Sequence, residues 1–230
     1  YAGYVQRRHE RELFVDGLYA QLEGGARDLA LDPEFRRTLG ASLSALRFPL
    51  HGLQMASSYL GSVAPSGEVA IACAFQAADE LRRVQRLAQR MGHLRRADPA
   101  LDPELDGRGR RDWEQAPQWQ PLRRCVEGLL VTYDFVEAFV ALQEAVKPQV
   151  DALLFQGVAM AARRAGDDVT ASALGALEED AAWHREWSAA LLSVMDGAER
   201  GKGAVADLRQ RWAARAAEAV APLRGGGTAF

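Results

Sequence analysis

The sequence is poor in the features on which several classes of protein depend. Its only two cysteines, Cys73 and Cys125, lie far apart in apolar stretches, so we expect two buried thiols in a reducing compartment and no disulfide. No apolar run reaches the roughly 18 residues of a membrane span, which excludes a transmembrane helix. A net charge of -3 leaves no basic excess, so nucleic acid is not an expected partner. No charged and apolar leader follows Tyr1, and we expect a cytoplasmic protein.

Patterns typical of β-strands are also missing, because apolar and polar residues nowhere alternate over the length of a strand. Helix-forming residues dominate instead, and the sequence predicts an all-α protein. Asp32 and Ser66 are expected helix caps, and a bend is expected near Pro49. Polar residues 97–118 are predicted to form a long connection without structure of its own. The predicted helices are residues 4–23, 33–63, 68–95, 121–146, 149–164, 167–195 and 202–223.

The order of these helices favours a ferritin-like four-helix bundle core with additional N- and C-terminal helices. Such a bundle consists of two helical hairpins joined by one long crossover, which here is the connection at 97–118. We therefore predict a single domain over residues 1–230. Its parts are an N-terminal partner-contacting helix in 1–40, a core bundle in 41–200, and a C-terminal helix with a mobile tail in 201–230.

The helix predicted at 68–95 contains half of a metal-binding motif. In ferritin-like di-iron proteins, Glu-x-x-His places a carboxylate and an imidazole on one inward face. Here Glu80 is followed three positions later by Arg83, whose guanidinium has no lone pair for a cation. The pair is either an ordinary surface ion pair or a buried remnant in which Arg83 neutralises Glu80 in place of iron. The apolar stripe of this helix is formed by Ile71, Phe75, Ala78, Leu81 and Val84, with Arg82, Arg86 and Arg90 on the other side.

Several longer segments together carry a family resemblance. They resemble, in order and spacing, the hydroxylase β subunit of bacterial multicomponent monooxygenases, of the toluene, phenol and alkene type. The resemblance covers roughly residues 47–195, a large majority of the chain. The segments that carry it are RFPLHGLQM at 47–55, FQAADELRRVQ at 75–85, WQPLR at 119–123, LLVTYDFVEAF at 129–139, and Lys147-Pro148.

This resemblance implies a role inside a larger complex. Hydroxylases of the family are dimers of αβγ protomers, and the di-iron centre that hydroxylates the hydrocarbon lies in the catalytic α subunit. The β subunit shares the fold of α, carries no cofactor, packs on α, and contributes to the surface where a regulatory or coupling protein and a reductase or ferredoxin dock. The substrate stays open between toluene, phenol, propane and alkenes, because the substrate pocket belongs to α.

The other core helices also lack the ligands of a di-iron centre. No carboxylate occurs between Arg47 and Val63, and Ala181 stands three residues before His184, where a glutamate is needed. The remaining inward-facing candidates are too few to bind two iron ions. We therefore predict no catalytic, cofactor-binding or metal site in this chain. The vestigial positions are Glu80, Arg83, Glu137, Asp180 and His184.

Aromatic residues outside the expected core are candidate partner contacts. Trp113 and Trp119 lie in the polar connection, where they either anchor a partner or fold back on their own bundle. The first helix has an apolar face that includes Tyr4, Phe14 and Tyr19. Two further functions stay open from the sequence: a catalytic ferritin-like di-metal oxidase with unusual ligands, and a stand-alone helical interaction module.

Overall fold

Helices account for nearly all of the protein in the computed structural model, which describes residues 2–101, 105–197 and 202–224. Within these ranges there is no β-strand, so the predicted all-α class is confirmed. None of the helices described is both long and apolar enough to cross a membrane. The helices are α1 (Ala2–Ala20), α2 (Ala26–Leu29), α3 (Pro33–Ser62), α4 (Gly67–Ala97), α5 (Leu105–Gln115), α6 (Gln120–Leu130), α7 (residues 135–164), α8 (Asp168–Gly197) and α9 (Lys202–Arg224).

The two capping residues predicted from the sequence begin the two longest helices of the first hairpin. The Asp32 carboxylate accepts hydrogen bonds from the backbone N–H groups of Glu34 and Phe35, both at 2.9 Å, and Pro33 occupies the first turn of α3. The Ser66 hydroxyl accepts from the backbone N–H of Val69 in the same way at the start of α4. The α3–α4 hairpin is therefore set by local chemistry.

Helix α7 is one helical run in which α-helical and π-helical turns alternate. Phe135–Val140, Lys147–Ala152 and Ala159–Arg164 are α-helical, whereas Ala141–Val146 and Leu153–Val158 are π-helical. The sequence predicted one helix ending at 146 and another beginning at 149, but Lys147 and Pro148 lie inside a single helical run. The predicted helix 121–146 is instead interrupted at residues 131–134, where the Asp134 side chain accepts from the Glu137 N–H at 2.9 Å and begins α7.

The long crossover has structure of its own, contrary to the prediction for residues 97–118. Helix α5 lies in it and covers the outer side of the first half of α3. The Ser44 hydroxyl donates to the Leu105 carbonyl at 2.8 Å, and Trp113 stacks on Phe48 with ring centroids 6.2 Å apart. A Cβ at Gly109 would overlap the Ser44 hydroxyl, so glycine permits this close approach.

The core lies between α3, α4, α7 and α8, which form the ferritin-like bundle, and α6 and α9 pack around it. Leu46, Leu50 and Leu53 of α3 and Phe139 of α7 are fully buried there. Cys73 and Cys125 are buried free thiols, as predicted. The tail predicted to be mobile lies beyond α9, outside the described residues.

The orientation predicted for α4 is wrong. Ile71 is 57% exposed and Leu81 42% exposed, so the predicted stripe lies largely on the surface. Arg83 and Arg90 are instead at most 1% exposed. The reason is that carboxylates of α4 and of the neighbouring helices lie inside the bundle, and the arginines turn inward to pair with them.

Candidate functional site: a buried ionic centre

Four charged side chains form a closed ring in the middle of the bundle, two from α4 and two from α7. The Arg83 guanidinium Nη1 lies 2.9 Å from Glu80 Oε2 and 3.0 Å from Asp151 Oδ1. The Lys147 ammonium lies 2.9 Å from Glu80 Oε1 and 2.8 Å from Asp151 Oδ2. Two cations and two carboxylates therefore alternate, and we call this set the inner ring. Its members are at most 6% exposed.

The helices place each pair of the inner ring on one face. Glu80 and Arg83 are three residues apart on α4, and Lys147 and Asp151 are four apart on the α-helical segment of α7. That segment is bounded by a π-helical turn on each side, and a π turn rotates the residues that follow it. The first π turn, Ala141–Val146, therefore helps to set the direction in which Lys147 and Asp151 face.

A second group of charges, which we call the outer cluster, lies between α1, α4 and α8. Asp79 receives two hydrogen bonds from Arg8, Nε to Oδ1 at 2.9 Å and Nη2 to Oδ2 at 2.8 Å, and a third from the Tyr4 hydroxyl at 2.9 Å. Asp180 is fully buried and is paired with three arginines. These partners of Asp180 are Arg8, Arg11 and Arg82.

His184 joins the two groups. Its Nε2 lies 3.0 Å from Asp79 Oδ2, and its Nδ1 lies 3.7 Å from Glu80 Oε1. Burial lowers the pKa of His184, and the charges of Lys147 and Arg83 lower it further, so that despite the hydrogen bond to Asp79 it falls to about 4. The imidazole is therefore neutral at physiological pH and donates its Nε2–H to Asp79.

Two carboxylates of the centre, Asp79 and Asp151, are held ionised by their neighbours. Burial alone would raise the pKa of Asp79, but the His184 hydrogen bond and the charges of Arg8 and Arg82 lower it to about 2. Burial also opposes ionisation of Asp151, and Lys147 and Arg83 outweigh it, so the pKa of this carboxyl is lowered. Glu80 and Asp151 in turn raise the pKa of Arg83, against the effect of its burial. Within the inner ring, Asp151 and Arg83 are thus held in their charged forms.

This arrangement does not fit a metal ion. Among the side chains described, no group of three or more His, Cys, Asp or Glu could hold one. Both oxygens of Glu80 and both of Asp151 already face Arg83 or Lys147 at 3.0 Å or less. A bound cation would have to lie against these two positive side chains. The centre can therefore fix helices and charges in place, but it offers no ligand set for iron.

The structure decides several predictions about the vestigial positions. Glu80 and Arg83 form the buried pair, the second of the two alternatives. Asp180 and His184 are both fully buried, yet Asp180 pairs with arginines and His184 with Asp79. The prediction for Glu137 is wrong, because its carboxylate accepts from Trp212 Nε1 of α9 at 3.0 Å, outside the centre.

Sequence reasoning missed several other members of the centre, among them Asp79, Lys147, Asp151 and Arg8. The i, i+4 spacing of Lys147 and Asp151 was a usable signal, but Pro148 drew attention to a helix boundary instead. Asp79 directly precedes Glu80, and two adjacent residues of a helix were not both expected to face inward. Arg8 lies outside the stretch that the family resemblance covered.

The aromatic partner candidates divide into buried and accessible ones. Trp113 and Trp119 are 9% and 3% exposed and pack edge to face in their own core, so they fold back on the bundle. Tyr19 is also buried and donates its hydroxyl to the Arg86 carbonyl at 3.2 Å. Tyr4 is half-buried and stacks on Phe75. Of the candidates, Phe14 is the most accessible, with 53% exposure.

A ferritin-like bundle with an ionic centre in place of a metal centre is the class of protein that this fold and site define. A family model described as Methane/Phenol/Alkene Hydroxylase matches residues 1–199. The chain therefore belongs to the methane/phenol/alkene hydroxylase family.

Its relatives within the family are subunits of hydroxylase components. The chain is 31% identical over 192 residues to subunit beta of the toluene-4-monooxygenase hydroxylase component of Ectopseudomonas mendocina, covering 84% of this chain and 58% of that protein. It is 28% identical over 165 residues to the small subunit of the propane 2-monooxygenase hydroxylase component of Mycolicibacterium goodii, covering 70% and 44%. The chain thus spans about half the length of these relatives. The resemblance to the hydroxylase β subunit is confirmed.

Solved structures agree with the fold. A chain of toluene 4-monooxygenase, solved with toluene bound in its resting active site, superposes with a TM-score of 0.90 at 28% identity, covering 98% of this chain and 75% of that one. A chain of phenol hydroxylase from Pseudomonas sp. OX1 gives a TM-score of 0.83 at 21% identity, covering 97% and 67%. The predicted ferritin-like architecture is confirmed.

Proposed function

We propose that this chain is the non-catalytic β subunit of the hydroxylase component of a di-iron hydrocarbon monooxygenase. The observation that carries the proposal is the inner ring, in which Arg83 and Lys147 fill the space between Glu80 and Asp151. In a catalytic di-iron bundle that space belongs to metal ions held by carboxylates and imidazoles. A chain that fills it with its own cations keeps the bundle and gives up the oxygen chemistry.

Its mechanism is structural. The inner ring and the outer cluster lock α1, α4, α7 and α8 against one another, so the bundle presents fixed surfaces to its neighbours. We propose that these surfaces hold a catalytic α subunit, which carries the di-iron centre, and a small γ subunit in a cytoplasmic dimer of αβγ protomers. They also help to form the docking surface for a regulatory or coupling protein and for a reductase or ferredoxin.

The proposal is tested by purifying the protein from its native host under conditions that preserve complexes, then separating the subunits and measuring iron in each. We expect co-purification with a larger subunit and iron on that subunit. The iron measured on this chain should be far below one ion per chain. Stoichiometric iron on this chain, lost on Glu80→Ala, would favour the catalytic oxidase with unusual ligands. A monomer or homodimer that binds no larger subunit would favour the stand-alone interaction module.

A further inference from the structure

The tip half of the α3–α4 hairpin carries almost no charge. Residues 48–78 contain one charged residue, Glu68, although 26% of the whole chain is charged. Glu68 lies in the first turn of α4, where an acid favours the helix N-terminus. A helical hairpin with one side in solvent normally has charges on that side, and here they are missing from exposed positions as well as from buried ones.

The exposed positions of the two helices form two rows at helical spacing. Met55 is 39%, Ile71 57% and Leu81 42% exposed, so large apolar groups lie in both rows. The rows contain no Asp, Glu, Lys or Arg. They consist of His51, Met55, Ser58 and Ser62 on α3, and of Ile71, Ala74, Ala78, Leu81 and Gln85 on α4.

The two rows join into one surface, which we call the neutral face. The seam lies at Gly61, where an added Cβ would be 3.4 Å from the Cβ of Cys73 and 3.9 Å from the backbone nitrogen of Ala74. Gly61 adjoins the exposed Ser62 on α3, and Ala74 is exposed on α4. The backbones of α3 and α4 are therefore close enough for both rows to contact one partner.

The chain covers the preceding part of the same α3 row with its own helix. Ser44 and Phe48 continue the row toward the start of α3, and α5 packs on both of them. This cover ends at the contact of Trp113 with Phe48. From His51 onward, the row that α5 occupied is open, so the neutral face is the uncovered continuation of a helix-binding surface.

An aromatic residue stands at the edge of the neutral face. Tyr133, in the turn before α7, is 72% exposed, and its carbonyl accepts a hydrogen bond from the Tyr59 hydroxyl of α3 at 2.7 Å. This bond fixes the turn before any partner binds. A large aromatic group that is exposed yet held in position is typical of the residues that dominate binding energy at interfaces.

We infer that the neutral face is the contact surface for the catalytic subunit, through an uncharged helix surface of that subunit; this inference rests on the proposed function. The α3 row spans about 17 Å at 1.5 Å per residue, and two helices about 9 Å apart, each about 10 Å wide, make a face about 19 Å across. The face therefore offers roughly 300–400 Å², against about 800 Å² per partner in a stable interface. Two copies joined face to face would bury too little, whereas a larger subunit reaches further over the surrounding surface.

The first test introduces a charge on the face. Ser58→Glu and Ala78→Glu place a carboxylate at exposed helix positions, and Ala214→Glu makes the matched change on the exposed side of α9. Each variant is co-expressed with the large hydroxylase subunit of the same genome, and the co-purified amount is measured. We expect at least a tenfold loss for both face variants and none for Ala214→Glu, with an unchanged urea midpoint for each variant alone. If the face variants co-purify with the large subunit in the same amount as the wild type, the inference is overturned.

The second test uses the two buried cysteines as a silent background. Ser58→Cys adds the accessible thiol, and Ala214→Cys is its control. A maleimide should label Cys at both positions in the free chain, and assembly should protect the first at least tenfold and leave the second unchanged. Equal labelling overturns the inference, as does protection in a homodimer of this chain. If the wild-type chain binds no large subunit, the proposed function itself fails, which is distinguishable from intact assembly with an unprotected face.

Discussion

Arg83 and Lys147 carry two positive charges into a space that excludes solvent. Removing an ion from water costs several kcal/mol, and only close pairing offsets this cost. Every oxygen of Glu80 and Asp151 has such a pairing within 3.0 Å. The charges are therefore mutually dependent, and losing one leaves its partners buried and uncompensated.

Replacing Arg83 by glutamine should accordingly destabilise the fold by about 3–5 kcal/mol, because Glu80 and Asp151 would share Lys147 alone. The matched control is Arg110→Gln, which removes an exposed i, i+4 pair with Glu114 and should change stability by about 0.5 kcal/mol or less. Urea unfolding of both variants measures the difference. Equal midpoints would show that the inner ring contributes nothing specific to stability.

His184 makes stability depend on pH. Its pKa of about 4 in the folded chain lies below the ordinary 6.5, so between these values the unfolded chain binds a proton that the folded chain does not. The free energy of unfolding should therefore fall by about 3 kcal/mol as the pH is lowered from 6.5 to 4. Asp79, with its pKa of about 2, extends the loss to lower pH.

The variant His184→Gln checks this assignment. A glutamine amide can still donate to Asp79 but does not titrate in this range. Unfolding free energies measured from pH 7 to 4 should show a much flatter profile for the variant than for the wild type. The shallow slope that remains should come from His93, whose pKa is also lowered by burial and nearby arginines. An unchanged slope would mean that another group is responsible.

At the scale of the element, α1 is attached to the bundle by charged contacts in addition to the apolar cluster that contains Val15 and Tyr19. Arg8 donates to both oxygens of Asp79 and pairs with Asp180, while Glu12 pairs with Arg82 and Arg86. Charged hydrogen bonds contribute about 1.5–3 kcal/mol each when buried. Helix α1 therefore covers the outer cluster and is held there by these ion pairs. Phe14 lies on its exposed side.

Arg8→Gln should make local opening of α1 more frequent and leave the rest of the bundle folded. Hydrogen exchange of the α1 amides should become faster by at least tenfold, since the loss of about 2 kcal/mol of pairing raises the open population. Arg7→Gln is the control, because Arg7 is exposed at the preceding position of the same helix. Equal protection of α1 in the two variants would contradict a role for the outer cluster in its docking.

For helix α5 we expect a different result, because the indole of Trp113 belongs to the core. Trp113→Ala should destabilise the isolated chain by about 3–5 kcal/mol, as for other large-to-small changes in a packed interior. A partner anchor would instead leave the stability of the isolated chain unchanged and weaken only assembly. Thermal unfolding of the chain alone therefore separates the two roles assigned to this tryptophan.

The elements differ in how far the sequence determines them. Caps are local, so Asp32 and Ser66 revealed the starts of α3 and α4. Glu80 with Arg83 was also readable, because both lie on one helix at a fixed spacing. The contribution of Lys147 and Asp151 depends on the π turn before them, which no residue pattern here predicts. The predicted orientation of α4 was wrong for a related reason: hydrophobic periodicity assumes that a helix packs on an apolar core, whereas the part of the core that α4 faces contains charged side chains.

For the whole molecule, an ionic centre predicts that the stability of the fold does not depend on metal ions. A bundle held by iron loses stability when a chelator removes the ion, because binding free energy is part of its folding free energy. The melting temperature of the purified chain should be the same in buffer, with excess EDTA and with added ferrous iron. An iron-loaded ferritin-like protein measured alongside provides the control. A shift with iron or chelator would return the catalytic alternative to consideration.

The inner ring also bears on the order of events during biosynthesis. Its cations are side chains of the polypeptide, so each newly synthesised chain already contains them. Unlike a bound metal ion, they cannot dissociate. The inner ring can form as soon as α4 and α7 have both been synthesised, whatever the cell's supply of iron. In the proposed hydroxylase, this subunit can therefore fold before the catalytic subunit has bound its iron, and the iron-free catalytic subunit can assemble on it.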